Sequence, residues 1–210
     1  MKAIALMSGG KDSFLSAYLA MQQGFDIVKA VIVRPQEYSY MFHFPNVDMA
    51  GYVAGLLDLD HEFVSEDMFQ ERVFHYARDG VRAMISGAIA SEFQKTRLER
   101  MATEASMISY TPLWKIEQHR VIREILDAGI RAMIVSVSAD GFGEEDLGRE
   151  IDVRYLNHLR HIESRYGINI TGEGGEYETF VFGFGKKQLN VHGHRVWKGS
   201  GGYFTIDSID

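Results

Sequence analysis

A short polar stretch near the amino terminus combines the residue types that bind phosphate groups. Residues 8–13 read SGGKDS and stand between an apolar run at 3–7 and apolar residues at helical spacing. The glycines let the backbone approach a ligand closely, and free N–H groups at a helix start attract anions. Asp12 can also hold a magnesium ion. The predicted phosphate-binding residues are Ser8, Gly9, Gly10, Lys11, Asp12 and Ser13.

This loop is not a Walker loop, which needs a further glycine separated by four residues from its Gly-Lys-Ser/Thr. SGGKDS after an amino-terminal strand resembles the PP-loop of the N-type ATP pyrophosphatases. The resemblance implies that ATP is cleaved between its α- and β-phosphates to give AMP and pyrophosphate. The alternative is an ordinary glycine-rich strand-to-helix turn, but strand, turn chemistry and helix all agree with the resemblance.

The elements that position the loop alternate between β-rich runs and amphipathic helices. The runs lie at 27–34, 61–64, 81–86 and 107–110. Such alternation predicts a doubly wound parallel sheet, here an α/β fold of the HUP and PP-loop ATPase kind. Ligands bind beyond the carboxyl ends of the strands in these sheets. The aromatic-rich residues 35–47 should therefore form a loop near that edge, and we favour mutual packing of its rings over substrate contact.

A second set of charged residues follows the predicted strand 81–86. Gly87 turns the chain and a helix then carries Lys95 and Arg97. A charged helix face is usually solvated. This helix begins at the predicted ligand edge, however, so either cation can reach phosphates. Trp114 leaves the next strand at the same edge, either as a core residue or as a pocket wall.

The pattern changes near residue 125. A strand at 131–137 and a long helix at 153–166 precede several β-like pieces towards the carboxyl terminus. We therefore predict a first domain at 1–124 and a smaller α+β domain at 125–210. No Ser/Pro-rich linker marks the boundary.

Residues 172–179 read GEGGEYET and crowd three carboxylates, Glu173, Glu176 and Glu178, among glycines. Crowded like charges cost stability unless water, a cation or a partner compensates for them. A surface turn would be satisfied by water. This stretch lies between apolar β segments, where a purely structural turn would be shorter, so we favour a functional role.

The blocks SGGKDS, GAIASEFQKTRLE (87–99) and GEGGEYET together resemble the diphthine–ammonia ligase family, in a short archaeal-like form. The resemblance runs over nearly the whole chain, and the acidic block narrows the assignment from superfamily to family. Members catalyse the last step of diphthamide synthesis on translation elongation factor 2. The resemblance implies that a diphthine carboxylate, ATP and ammonium give a carboxamide, AMP and pyrophosphate through an acyl-adenylate.

The resemblance also implies roles for individual residues. The PP-loop would cradle pyrophosphate, Asp12 would hold Mg²⁺, and Arg97 or Lys95, with Gly87 nearby, would act at the α-phosphate. The implied catalytic set is Lys11, Asp12, Arg97 and Glu176. The acceptor carries a trimethylammonium group, which aromatic faces and negative charge bind; alternatively, one Glu deprotonates ammonium. The candidate acceptor-binding residues are Glu92, Trp114, Glu173, Glu176, Tyr177, Glu178 and Thr179.

Composition narrows the alternatives. The 210 residues include no cysteine, which excludes disulfides, thiolate metal sites and the nucleophile of a glutaminase module, so free ammonium is the simpler nitrogen donor. The same absence counts against tRNA thiolation. A net charge of −7 argues against nucleic acid as a partner. The remaining alternatives are another adenylating ligase that acts on tRNA and a non-catalytic adenine-nucleotide-binding regulator.

No apolar run approaches the length of a membrane span, and no signal peptide is evident. We therefore expect a cytoplasmic protein without a membrane partner. The sequence leaves open the oligomeric state, including a homo-oligomer.

Overall fold

The computed structural model describes residues 1–35 and 46–210. The chain divides into two compact units, residues 1–115 and 116–210, which are described in turn. The predicted boundary after residue 124 falls within the helix Gln118–Asp127. Most of the predicted aromatic loop at 35–47 lies outside the described residues.

The first unit contains a parallel five-stranded sheet with helices between its strands. The strands are β1 Lys2–Leu6, β2 Asp26–Arg34, β3 His61–Ser65, β4 Ala83–Ile85 and β5 Ile108–Tyr110. The helices are α1 Lys11–Gln22, α2 Ala50–Leu56, α3 Phe69–Arg78 and α4 Glu92–Glu104. The strand order is β3-β2-β1-β4-β5, and every neighbouring pair is parallel. The predicted parallel sheet is therefore confirmed.

The central strand β1 is covered on both faces. Ile4 packs in one cluster with residues of α3 and α4, such as Phe69 and Leu98. Ala3 and Ala5 point to the opposite face and are equally buried. Burial on both sides explains why β1 is an unbroken apolar run rather than an alternating one.

The order of the strands creates a switch point beside β1. The chain first builds outward from β1 through β2 to β3, and then continues at β4 on the other side of β1. The segments that leave β1 and β4 therefore diverge at the same edge of the sheet. Such a crevice is where ligands bind in open α/β sheets.

The second unit contains an antiparallel sheet and two helices. Its elements are α5 Gln118–Asp127, β6 Ile130–Val137, α6 Val153–Tyr166, β7 Tyr177–Phe184, β8 Lys187–Gln188, β9 Val191–Lys198 and β10 Gly201–Ile209. The strand order is β8-β7-β6-β10-β9, with antiparallel pairing throughout. The predicted smaller α+β architecture is confirmed.

One boundary differs from the sequence prediction. Residues 177–179 of the acidic block belong to β7, where Glu178 pairs with Ser136 and Thr179 with Ile134 of β6. Pairing with a neighbouring strand, which local composition does not reveal, extends the strand into a segment rich in glycine and glutamate. Only residues 172–176 form the loop itself.

Within the described ranges, 1–35 and 46–210, no helix combines the length and the apolar character needed to cross a membrane.

Helix α6 has clear signals at both ends. The Asp152 carboxylate accepts the N–H of Tyr155 at 2.7 Å, and Gly167 ends the helix with a φ of 71°. Tyr155, Leu159 and Ile162 form its buried face. The structure confirms the helix predicted at 153–166.

We expect an Asp152→Ala variant to lower the free energy of unfolding by about 1 kcal/mol, because it removes the acceptor at the start of α6. Urea denaturation followed by circular dichroism measures this change. Asp152→Ser keeps a side-chain oxygen and serves as the matched control. An equal loss in both variants would contradict the capping role.

Candidate functional site

The loop between β1 and α1 is closed by hydrogen bonds of Ser13. Its hydroxyl donates to the carbonyl of Gly10 at 2.9 Å and accepts the N–H of Ser8 at 3.2 Å. The N–H of Gly10 donates to the Ser8 hydroxyl at 3.2 Å. Gly9 has a φ of 88°, in the left-handed region that glycine adopts without strain. The loop is therefore shaped by its own side chains, with α1 starting directly behind it.

The charged residues of this loop form an ion pair. Lys11 is only 2% exposed, and its Nζ lies 2.8 Å from Oδ2 of Asp12. A buried ammonium group needs a partner of opposite charge, and Asp12 supplies it. Both residues lie in the first turn of α1, so a positive group is held at the end of the helix that attracts anions.

The segment after β4 lies directly against the start of α1. A Cβ atom placed on Gly87 would lie 2.7 Å from the backbone N of Ser13 and 2.8 Å from the carbonyl carbon of Asp12. These atoms belong to the backbone and cannot turn aside, so only glycine permits the approach. The structure thus brings Gly87 to the PP-loop.

Lys95 and Arg97 of α4, the two cationic residues predicted to contact phosphate, make different contacts. Arg97 is exposed, and its Nη1 lies 3.6 Å from Oε1 of Glu66, which directly follows β3. Lys95 forms an ion pair with Glu99 one turn further along the helix. Each of the two cationic side chains is thus paired with a carboxylate of the first unit.

Trp114 is partly buried and has two lysine ammonium groups near its ring. Nζ of Lys95 lies 5.0 Å and Nζ of Lys115 lies 4.7 Å from the ring centroid. Such distances allow cation–π attraction. Nζ of Lys115 also lies 3.2 Å from Oε1 of Glu92. The backbone N–H of Lys115 donates to the carbonyl of Ile89 at 2.8 Å. Sequence reasoning did not single out Lys115, although its position next to Trp114 was a signal.

In the second unit, the acidic loop is held by its own carboxylate. Oε1 of Glu176 accepts the backbone N–H of Asn169 at 2.8 Å. Oε2 is buried and accepts no hydrogen bond from a described residue. Glu173 and Glu178 are partly exposed.

Two other candidates from the acidic block belong to the core of the second unit. Tyr177 is 2% exposed, and its hydroxyl donates to the carbonyl of Ile170 at 2.6 Å. Its ring lies 5.7 Å from that of Phe142. Thr179 is also buried. These contacts anchor the end of the acidic loop to the sheet.

A buried carboxylate that sequence reasoning missed fixes the neighbouring stretch 139–148. Asp146 accepts the N–H of Gly143 and the hydroxyl of Tyr155, both at 2.8 Å. Oδ1 also lies 3.2 Å from Nε2 of His158. Burial, together with the Asp146 carboxylate, raises the pKa of the Tyr155 hydroxyl, which stays protonated and able to donate. The acidic, glycine-rich composition of 139–148 was the only sequence signal.

The predicted residues thus fall into two groups. The first unit contains the PP-loop, Gly87, Glu92, Lys95, Arg97 and Trp114. The second unit contains the candidates of the acidic block, Glu173, Glu176, Tyr177, Glu178 and Thr179.

Among residues 1–35 and 46–210, no three side chains of the metal-binding types come together as a ready-made metal centre. Mg²⁺ does not need one, since it is usually held by one or two carboxylates together with substrate phosphates. Asp12, on a phosphate-type loop, fits that pattern.

The fold and the site define an α/β protein with a glycine-containing loop at the switch point of a parallel sheet. Residues 1–109 match the family described as diphthamide synthase N-terminal domain, and residues 117–209 match the diphthamide synthase C-terminal domain. The chain belongs to the diphthamide synthase family and is an enzyme of that family. The family resemblance predicted from the sequence is confirmed.

The relatives of this chain include vertebrate proteins named diphthine–ammonia ligase. The zebrafish (Danio rerio) protein is 28% identical over an alignment 209 positions long, and that alignment covers 86% of this chain and 82% of the relative. The human protein is 28% identical over an alignment 210 positions long, which covers 86% of this chain and 78% of the human protein. A solved Methanocaldococcus jannaschii structure, described as a predicted subunit of tRNA methyltransferase, aligns with a TM-score of 0.49 and 18% identity. That alignment covers 89% of this chain and 99% of the other, and a likeness this distant supports no argument.

We expect a Gly87→Ala variant to lose about 1–3 kcal/mol of unfolding free energy, because the new methyl group forces apart two backbone segments. The same displacement should weaken binding of pyrophosphate, measured by isothermal titration calorimetry.

Gly55→Ala is the matched control for this variant. A Cβ at Gly55, inside α2, would meet no atom within 4 Å, so its replacement should be neutral or stabilising. Unchanged stability and unchanged pyrophosphate binding in Gly87→Ala would show that the close approach has no bearing on the loop.

Proposed function

We propose that this protein is a diphthine–ammonia ligase. It uses ATP and ammonium to convert the carboxylate of diphthine on translation elongation factor 2 into the carboxamide of diphthamide, and it releases AMP and pyrophosphate. The observation that carries the proposal is the SGGKDS loop, closed by Ser13 at the switch point, in a chain that matches both diphthamide synthase domains. Its relatives of similar extent are named for this reaction.

The chemistry explains why an amidating enzyme needs a phosphate loop. A carboxylate is a poor electrophile towards ammonia. In the proposed first step, a carboxylate oxygen attacks the α-phosphorus of ATP, and the bond to the β-phosphate breaks with departure of pyrophosphate. In the second step, ammonia attacks the acyl carbon, loses a proton, and displaces AMP with the transferred oxygen.

The PP-loop serves the first step. Its backbone N–H groups and the hydroxyls of Ser8 and Ser13 would bind the departing pyrophosphate, as donors fixed before the reaction stabilise developing charge. Lys11 would add a positive charge that is already desolvated in its buried position. Gly87 would keep the neighbouring segment close without occupying the space of the ligand.

Asp12 is the residue that would hold Mg²⁺. The ion, when bound, offsets the charge of the phosphates. For Asp12 to bind the ion, its carboxylate would have to turn away from Lys11, whose Nζ lies 2.8 Å from Oδ2. Phosphate oxygens would then replace the carboxylate as the partner of Lys11. Lys95 or Arg97 would then act at the α-phosphate, each by exchanging a carboxylate partner for a phosphate oxygen.

The two units have separate proposed roles, ATP binding in the first and acceptor binding in the second. The diphthine side chain carries a positive trimethylammonium group, and the acidic loop of the second unit offers the opposite charge. Free ammonium is the proposed nitrogen donor, since the chain has no cysteine for a glutaminase reaction. The proposed place of action of the enzyme is the cytoplasm.

The direct test is pyrophosphate release from ATP, Mg²⁺ and ammonium, with and without elongation factor 2 in the diphthine form. We expect release to require both the factor and ammonium, and the mass of the factor to change by the replacement of OH with NH₂. Release without the factor, or release that requires tRNA, would point to another acceptor. Nucleotide binding with no release under any condition would contradict catalysis.

A Lys11→Met variant keeps the apolar stem of the side chain and removes its charge. We expect kcat/KM for pyrophosphate release to fall by about 10²–10³-fold, because the desolvated positive charge of Lys11 no longer stabilises the leaving pyrophosphate. Lys2→Met, at an exposed position of β1, is the control and should be unaffected. Equal rates in the two variants would remove Lys11 from the mechanism.

A further inference from the structure

The family resemblance implied that Glu176 acts on the substrate. Its contacts in the structure are with its own loop. We propose instead that Glu176 is a positioning residue, which holds the acidic loop in shape and leaves contact with the cationic acceptor to the other carboxylates of the block. This inference deepens the proposed function and rests on it.

The carboxylate of Glu176 is turned inward. Oε1 accepts the backbone N–H of Asn169 at 2.8 Å, and Oε2 is buried. A Cβ atom on Gly174 would lie 2.7 Å from Oε1 and 2.9 Å from Oε2, so the backbone of the loop lies directly against the carboxylate. A bulky trimethylammonium group cannot reach an oxygen that the loop itself covers.

The backbone around Glu176 is fixed from the side of β6. The N–H of Ser138 donates to the carbonyl of Glu176 at 2.9 Å, and the Ser138 hydroxyl donates to the carbonyl of Gly175 at 2.6 Å. Ser138 follows β6 directly, so the end of the loop is tied to the sheet. We call the contacts of Ser138, Asn169 and Glu176 the loop brace.

The residues between the two ends of the brace form consecutive turns. The N–H of Gly172 donates to the carbonyl of Asn169 at 2.8 Å, and the N–H of Gly175 donates to that of Gly172 at 2.9 Å. Both glycines have positive φ, 76° and 84°. Residues other than glycine rarely adopt these positive φ angles. The turns begin at Asn169, so they are no longer fixed at that end if the hydrogen bond between Asn169 and Glu176 is lost.

The brace explains the position of the other acidic residues. Glu173 lies inside the segment that the brace closes, and Glu178 follows it in β7. A loop held in one shape before the ligand arrives loses less conformational entropy on binding. Release of the brace should therefore raise KM for the acceptor and leave KM for ATP unchanged.

The experiment compares Glu176→Ala with Glu176→Gln. Glutamine keeps an oxygen that can accept the N–H of Asn169 and loses only the charge. We expect Glu176→Ala to raise KM for diphthine-bearing elongation factor 2 by about tenfold or more, since a hydrogen bond to a charged group is lost. Glu176→Gln should keep KM for the factor close to that of the original protein and leave the pH profile of kcat unchanged.

A second readout does not depend on activity. Amide hydrogen exchange at Asn169 should be slow in the original protein and in Glu176→Gln, and faster in Glu176→Ala. Ser138→Ala is the second variant: it cuts the hydroxyl contact without touching a carboxylate, and it should also raise KM for the acceptor. Glu173→Gln is the contrasting variant, which should raise KM without changing exchange at Asn169.

The two readouts separate failure of this inference from failure of the proposed function. If no acceptor is amidated, exchange at Asn169 still tests the brace. The inference is overturned if Glu176→Ala leaves that exchange unchanged, or if Glu176→Gln loses activity as fully as Glu176→Ala, because the charge rather than the hydrogen bond would then be required.

Discussion

The arrangement of the first unit depends on one backbone contact that only glycine allows. Gly87 lies so close to the first turn of α1 that a single added carbon would overlap with the backbone at Ser13. Through this contact, the segment leaving β4 and the loop leaving β1 share one crevice. The parallel pairing of the two strands brings the segments to the same edge of the sheet, but the absence of a side chain lets them touch.

Much of the fold could be predicted from the sequence because its signals are local and repeated. The apolar runs of β1 and β2 and the helical spacing of α6 each specify an element without reference to the rest of the chain. The parallel sheet followed from strand and helix alternation, whereas the order of its strands, and with it the switch point beside β1, came only from the structure. The beginning of β7 was misjudged, because pairing with β6 decides it and Glu178 gives no local sign of a strand.

The site was harder to predict than the fold, for a physical reason. Residue type and loop composition indicated which side chains matter, but a side chain's direction depends on contacts between distant segments. The carboxylate of Glu176 turns towards Asn169, seven residues earlier in the chain. The ring of Trp114, in the turn after β5, lies near Lys95 of α4 as well as its neighbour Lys115. Neither contact leaves a periodic trace in the sequence.

The ion pair of Lys11 and Asp12 has a consequence for the anions that the proposed phosphate loop would prefer. The two charges cancel within the first turn of the helix, so the loop by itself presents little net charge to its surroundings. A bare anion would have to break this pair and strand the carboxylate beside new negative charge. An anion that arrives with its own cation can exchange partners in a matched way, with its phosphate on the lysine and its cation on the aspartate. If the loop binds phosphate as proposed, the adjacency of these two residues would favour phosphate accompanied by a metal ion over phosphate alone.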